Sequence, residues 1–182
     1  MELAVPGDHM VSNALAAAAV GRWAGVTLAE SATALKGAGV AHWRMETSTA
    51  TSGIVIVNDA YNANPESMAA ALKSARWMAK GERLVAVLGH MAELGQIEFE
   101  EHEKLGQLVV RIGVERLITV GEQARTIARA AIREGQLSED VASYEDPSQA
   151  AADVRAWARP GDVVLVKGSR VAGLERVAEA LG

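Results

Sequence analysis

The sequence predicts an α/β protein with a Rossmann-like, open and mostly parallel sheet that carries helices on both faces, preceded by a short helical segment. Two observations predict this fold. Four short β-branched runs are apolar without alternation, which is typical of strands covered on both faces. Segments of helical spacing lie between these runs, so that strand and helix alternate five times from about residue 44 to the end. Crossovers of this kind are right-handed and bring successive strands parallel.

The strands are predicted from these four runs and one weaker candidate. The runs cover residues 54–57, 84–88, 117–120 and 163–166, and the weaker candidate covers residues 141–144. Runs of this length and composition fit the strands of a parallel sheet.

The helix after the first run has the clearest start signals. Asn64 is a suitable N-cap, and Pro65 suits the first helical position. The apolar residues on one face of this helix, which should lie on the sheet, are Met68, Leu72, Ala75 and Ala79. Further helices are predicted over residues 98–112, 124–134, 147–158 and 174–181.

Residues 1–40 break this alternation. An Ala-rich helix is predicted over residues 11–23, capped by Ser12 or Asn13, and a second helix over residues 28–35, before a Gly-Ala-Gly linker at 37–39. Two helices without a strand cannot bury much core, so this segment is predicted to end another domain or to form an arm that needs a partner. The unpartnered apolar helix predicts a concentration-dependent dimer through residues 11–23, or else disorder before about residue 40.

Composition disfavours several classes of partner. Among 182 residues, 18 Lys and Arg oppose 23 Asp and Glu, and the resulting net charge of -5 disfavours nucleic acids and anionic membranes. The chain has no cysteine and only 4 histidines, so we predict no disulfide and no metal site. No apolar run approaches the roughly 20 residues that span a bilayer, and no secretory signal opens the chain. A soluble, cytoplasmic protein is therefore expected.

Polar residues follow the predicted strands, and ligands of open α/β sheets bind outside the carboxyl ends of strands. These ends carry residues 58–65, 89–95, 121–122 and 167–170. Asp59 can accept two ribose hydroxyls, whereas Lys167, Ser169 and Arg170 supply donors suited to a carboxylate or a phosphate. The alternative for any one loop is a plain turn, since turns favour Asn, Asp, Gly and Ser. The phosphate-loop pattern G-x-x-x-x-G-K-[ST] is absent from the chain.

Five segments occur together in the order found in one known family. They are VPGDHMVSNALAAAAVG (residues 5–21), HWRME (42–46), NDAYNANPESM (58–68), VAVLGHMAELG (85–95) and GDVVLVKGSR (161–170). The combination spans nearly the whole chain and resembles the Mur ligases. Two positions depart from the common pattern: His9-Met10 stands where relatives often have His-Asn, and His90 stands where many have an acid.

The resemblance implies a piece of an ATP-dependent, amide-forming ligase of peptidoglycan synthesis. Within the family, the motifs are similar to those of enzymes that join D-Ala-D-Ala to UDP-N-acetylmuramoyl tripeptide through an acyl phosphate. Residues 41–182 would be the C-terminal Rossmann-like ligase domain, and residues 1–40 the last helices of the central ATPase domain. The partners would be the two substrates together with the N-terminal and central domains. ATP and Mg2+ would be bound mainly by the central domain, so the chain alone should be inactive.

The resemblance also implies roles for single residues. Asp59 is expected to bind the ATP ribose, Arg44 to reach the γ-phosphate as a catalytic residue on closure, and Asn13 to lie near the adenine. The residues expected to hold the acceptor dipeptide or to line the same mouth are Tyr61, Asn62, Asn64, Lys167, Ser169 and Arg170. Plainer alternatives are a surface charge for Arg44 and helix caps for Asn13 and Asn64.

Other hypotheses stay open beside the ligase. A free-standing Rossmann-like module would bind a nucleotide or regulate a partner, and a purely structural domain would bind no ligand at its strand ends. The apolar helix at residues 11–23 argues against a self-contained module, since it would lack a partner. A metal site of His90, Glu93 and His102 is disfavoured because no fixed ligand spacing links these residues.

Overall fold

The computed structural model describes residues 8–37 and 42–182. Contacts divide the chain into two units, Met1–Ala41 and His42–Gly182. Most of the predicted Gly-Ala-Gly linker, residues 38 and 39, lies outside the described residues. The assignment of the two units to two domains of a longer protein stays a prediction.

In the described part of the first unit, residues 8–37, the structure has two helices, α1 (Asp8–Trp23) and α2 (Leu28–Lys36). Because α1 begins at Asp8, Ser12 and Asn13 lie inside it, and the prediction that one of them caps it is wrong. In the sequence, the helix-breaking pair Pro-Gly stands directly before Asp8, and nothing between Asp8 and Ser12 interrupts a helix. The start of α1 therefore follows the breaker rather than the first polar residue beside the apolar run.

The second unit is built on a six-stranded sheet. Its strands are β1 (Glu46–Thr49), β2 (Val55–Asp59), β3 (Leu84–Gly89), β4 (Arg116–Val120), β5 (Val141–Tyr144) and β6 (Val163–Lys167). The order across the sheet is β1-β2-β6-β3-β4-β5; β1 pairs antiparallel with β2, and all other neighbours pair parallel. The predicted open, mostly parallel sheet and its five predicted strands are confirmed.

Five helices cover this sheet. They are α3 (Pro65–Ala79), α4 (Glu98–Ile112), α5 (Arg125–Glu134), α6 (Pro147–Trp157) and α7 (Glu175–Leu181). The predicted helices are confirmed, with starts and ends within a residue of the prediction. Asn64 caps α3 as predicted: its Oδ1 accepts from the Ser67 N–H at 2.8 Å, and the Ser67 hydroxyl accepts from the Asn64 N–H at 3.1 Å.

Each face of the sheet carries its own apolar core. Helices α3, α4 and α5 pack on one face, which includes Val57 and Leu165, and helices α6 and α7 pack on the other, which includes Ile56 and Val166. Neighbouring strand residues point to opposite faces, so both faces of each central strand are buried. This double coverage explains why the strand runs are apolar without alternation. None of the helices in residues 8–37 and 42–182 is both long and apolar enough to cross a membrane.

Candidate functional site at the carboxyl ends of the strands

The carboxyl ends of β2, β3 and β6 meet at one edge of the sheet, here called the strand-end edge (residues 58–64, 89–95 and 167–170). Strands β2 and β6 are neighbours, and their register places Asp59 opposite Lys167. On its other side Lys167 pairs with Leu88 of β3. Polar residues that follow separate strands in the sequence therefore share this edge.

Asp59 and Lys167 form an ion pair at the strand-end edge. The Lys167 Nζ atom donates to Asp59 Oδ2 at 2.6 Å and to the Asn62 carbonyl oxygen at 2.8 Å. The Lys167 side chain is 2% exposed and the Asp59 side chain 14%. Asp59 Oδ1 accepts from the backbone N–H of Met45 at 2.9 Å. Two residues expected to bind different ligands are thus bound to each other.

Residues 42–45 lie against the strand-end edge. The Trp43 carbonyl oxygen accepts from the Tyr61 N–H at 3.1 Å, in addition to the contact between Met45 and Asp59. The φ angles of Trp43 and Met45 are 60° and 52°, in the left-handed region that bulky residues rarely adopt. Such a conformation persists only where surrounding contacts impose it, so the edge fixes the backbone on both sides of Arg44.

Two exposed arginines lie over aromatic rings at this edge. The guanidinium carbon of Arg44 is 4.2 Å from the ring centre of Tyr61, and that of Arg170 is 3.9 Å from the ring of Trp43. Each ring orients a cation while leaving it in contact with solvent. The edge therefore presents two oriented positive charges, of which Arg170 also has a carboxylate neighbour, with 3.6 Å between its Nη1 and Glu175 Oε1.

Ser169 and His102 hold the loop that follows β3. The buried Ser169 hydroxyl accepts from the Ala92 N–H at 2.7 Å, and the Ser169 N–H donates to the His90 carbonyl oxygen at 3.0 Å. The Nε2 atom of His102 accepts from the Met91 N–H at 2.9 Å. Its Nδ1 atom lies 2.6 Å from the Glu98 carbonyl oxygen, so Nδ1 carries the proton.

This structural role of His102 is not among the sequence-based predictions, in which His102 appears only as a metal ligand. A signal was available, because His102 precedes Leu105 and Val109 at helical spacing and so belongs to the buried face of α4. Burial lowers the pKa of His90. Within residues 8–37 and 42–182, no three His, Cys, Asp or Glu side chains are grouped to hold a metal ion.

The remaining site candidates fall into two groups. Asn62 Oδ1 accepts from the Ala63 N–H, and Tyr61 lies under Arg44, so both belong to the strand-end edge. Asn13 belongs to the first unit, where its exposed amide lies 3.7 Å from the sulfur of Met10. The residues that the structure brings together at the edge are Arg44, Asp59, Tyr61, Asn62, Asn64, Lys167, Ser169 and Arg170. Their roles toward ligands stay predictions.

Comparison with known proteins defines the class of this chain. Residues 43–170 match the family profile of the Mur ligase, glutamate ligase domain. The chain belongs to the Mur ligase family.

Comparison with individual relatives and solved structures shows which members of the family this chain resembles. The chain is 41% identical, over 196 residues, to the UDP-N-acetylmuramoyl-tripeptide–D-alanyl-D-alanine ligase of Mycobacterium leprae, covering 100% of this chain and 38% of the relative. It is 42% identical over 200 residues to the ligase of the same name from Mycobacterium tuberculosis, covering 100% and 39%. The MurF ligase of Thermotoga maritima, crystallised in complex with ADP, superposes with a TM-score of 0.81 at 27% identity, covering 96% of this chain and 38% of that one. The chain therefore spans about two fifths of the length of these relatives.

Proposed function

We propose that this chain is the C-terminal part of an ATP-dependent ligase that joins D-Ala-D-Ala to UDP-N-acetylmuramoyl tripeptide in peptidoglycan synthesis. The observation that carries the proposal is the strand-end edge, which brings together the Asp59 carboxylate and two exposed arginines, Arg44 over Tyr61 and Arg170 over Trp43. The names of relatives that match the whole chain at 41% and 42% identity support the choice of substrates.

The geometry of Asp59 is compatible with a nucleotide ribose. Each of its oxygens accepts one N–H group: Oδ1 accepts from the Met45 backbone and Oδ2 from the Lys167 ammonium. A carboxylate offers about four acceptor positions, so two hydroxyls can still donate to it. The ADP complex of the Thermotoga maritima neighbour supports a nucleotide as the ligand. We assign no Mg2+ ligand to the described part of this chain.

In this proposal the two arginines bind different anionic groups. Bound ATP would supply the phosphoryl group that activates the tripeptide carboxylate. Arg44, oriented by Tyr61, would stabilise the negative charge on that phosphoryl group during transfer. Arg170, oriented by Trp43, would bind the carboxylate of the incoming dipeptide. Asn13 is proposed to lie near the adenine. Tyr61, Asn62 and Asn64 are proposed to line the opening of the dipeptide site.

A chimera tests the proposal. The segment of the Mycobacterium tuberculosis ligase that matches this chain is replaced by residues 1–182, and formation of UDP-N-acetylmuramoyl pentapeptide is measured. Product should form only when ATP and D-Ala-D-Ala are both present. Arg44→Ala should lower kcat by about a hundredfold or more, as loss of one transition-state donor does. Arg129→Ala, an exposed arginine on α5, is the matched control and should leave kcat unchanged.

The isolated chain completes this test. It should give no ATP-dependent ligation, because its sequence contains no phosphate loop. Turnover by the isolated chain, or a folded chimera that fails with D-Ala-D-Ala, would contradict the proposal. Tight nucleotide binding by the isolated chain that depends on Asp59 would instead indicate a free-standing nucleotide-binding module.

A further inference from the structure

We propose that Lys167 is a positioning residue that fixes the Asp59 carboxylate, and that it does not contact the acceptor dipeptide. This inference rests on the proposed function, in which Asp59 binds the nucleotide ribose. It departs from the sequence-based expectation that Lys167 holds the carboxylate of the dipeptide.

The surroundings of Lys167 carry the inference. Its side chain is 2% exposed, and its ammonium group donates to the Asp59 carboxylate and to the Asn62 carbonyl oxygen. Removing one partner of a buried ion pair leaves the other charge uncompensated. The Lys167 ammonium and the Asp59 carboxylate therefore stabilise each other. Because the Lys167 side chain is only 2% exposed, a dipeptide carboxylate could reach its ammonium only by displacing the groups that cover it. Arg170, three residues further along the chain, is exposed, and its ion pair with Glu175 is looser, with 3.6 Å between Nη1 and Oε1.

The effect of Lys167 extends beyond Asp59 itself. Asp59 uses Oδ2 to bind Lys167 and Oδ1 to hold the Met45 N–H, so the three groups form one chain of contacts. Met45 has a left-handed backbone and follows Arg44 directly. Lys167 thus fixes the carboxylate proposed for the ribose and, through it, the backbone beside the arginine proposed for the phosphates.

The first experiment uses the 182-residue chain and needs no activity. Amide hydrogen exchange at Met45 is compared between the wild type and Lys167→Met. Without its counter-ion Asp59 should turn toward solvent and release the Met45 amide, which should then exchange about tenfold faster, the factor expected for losing one hydrogen bond of ordinary net strength.

The matched control is the ion pair of Arg83 and Asp162, which precede β3 and β6 at the opposite end of the sheet. Asp162 is similarly buried, with a side chain 3% exposed. Arg83→Met removes one cation from a comparable pair and should leave exchange at Met45 within about twofold of the wild type, because it is distant from the Asp59 contact.

The second experiment separates the two substrates in the active chimera. If Lys167 acts through Asp59, Lys167→Met should raise the KM for ATP about as much as Asp59→Asn does, and it should leave the KM for D-Ala-D-Ala within about twofold. The double variant Asp59→Asn/Lys167→Met removes both charges together, which avoids an uncompensated buried charge. Its KM for ATP should equal that of Asp59→Asn alone.

The outcomes are distinct. Unchanged exchange at Met45 in Lys167→Met overturns the inference, and so does a rise confined to the KM for D-Ala-D-Ala in either Lys167 variant. Faster exchange at Met45 supports it. An inactive but folded chimera would count against the proposed function, whereas the exchange measurement would still decide the contact between Lys167 and Asp59.

Discussion

At the scale of a single residue, Asn64 has two candidate roles, as the cap of α3 and as part of the mouth of the proposed site. Asn64→Ala should lower the free energy of unfolding by about 1 kcal/mol, because the Ser67 N–H loses its acceptor. Asn64→Ser keeps a capping oxygen and should retain most of that stability. Urea denaturation of the isolated chain measures the free energy of unfolding of both variants. Equal stability of Asn64→Ala and wild type would contradict the prediction that the cap stabilises the fold.

Asp59 and Lys167 show how far single residues can be predicted from the sequence. Both were expected at the strand-end edge, because polar residues directly follow buried strands there. Their pairing depends on β6 lying beside β2, although 108 positions separate the two residues. Strand order is set by the packing of the whole sheet, so local sequence cannot supply it. The same limit applies to Ser169, whose partner Ala92 follows β3.

At the scale of elements, the crossing of α4 and α5 depends on Gly106. A Cβ atom at this position would lie 2.6 Å from the Ala130 Cβ and closer still to the Ile127 carbonyl oxygen. Gly106→Ala should therefore destabilise the second unit by about 1–3 kcal/mol, although alanine favours a helix more than glycine does.

Gln107→Ala is the matched control for this helix crossing. Gln107 is the next residue on α4 and is only half-buried, so its truncation should change the free energy of unfolding by less than about 0.5 kcal/mol. Thermal and urea unfolding measure both variants. A Gly106→Ala protein as stable as Gln107→Ala would show that α4 and α5 can separate without cost.

The elements that the sequence predicts well have a clear side-chain signal: a continuous apolar run in a strand, or a cap and an apolar face in a helix. The buried strands are continuously apolar, and α3 has both a cap and an apolar face. Strand β1 has neither feature, because its residues Glu46–Thr49 are polar and mostly exposed at the edge of the sheet. It forms through backbone pairing with β2, which the side-chain pattern does not encode.

At the scale of the whole molecule, the first unit exposes several large apolar side chains. Its exposed large apolar residues are Val11, Leu15, Val20, Trp23, Val26 and Leu28. Those on α1 cover about half of the helix circumference, a wider apolar face than α2 alone can cover. In the isolated chain this surface favours self-association.

We therefore expect the 182-residue chain to dimerise reversibly through residues 11–23. Sedimentation velocity between about 5 and 500 µM should show a rising dimer fraction, as mass action requires. Trp23→Glu should shift the equilibrium toward monomer, because the Trp23 side chain, 90% exposed, would lose its apolar contact in the dimer. Trp77→Glu is the matched control on α3, where the tryptophan is 70% exposed, and it should leave the equilibrium unchanged. A monomer at every concentration, with slow amide exchange along α1, would contradict the dimer, and a dimer that Trp23→Glu leaves unchanged would contradict a contact through Trp23.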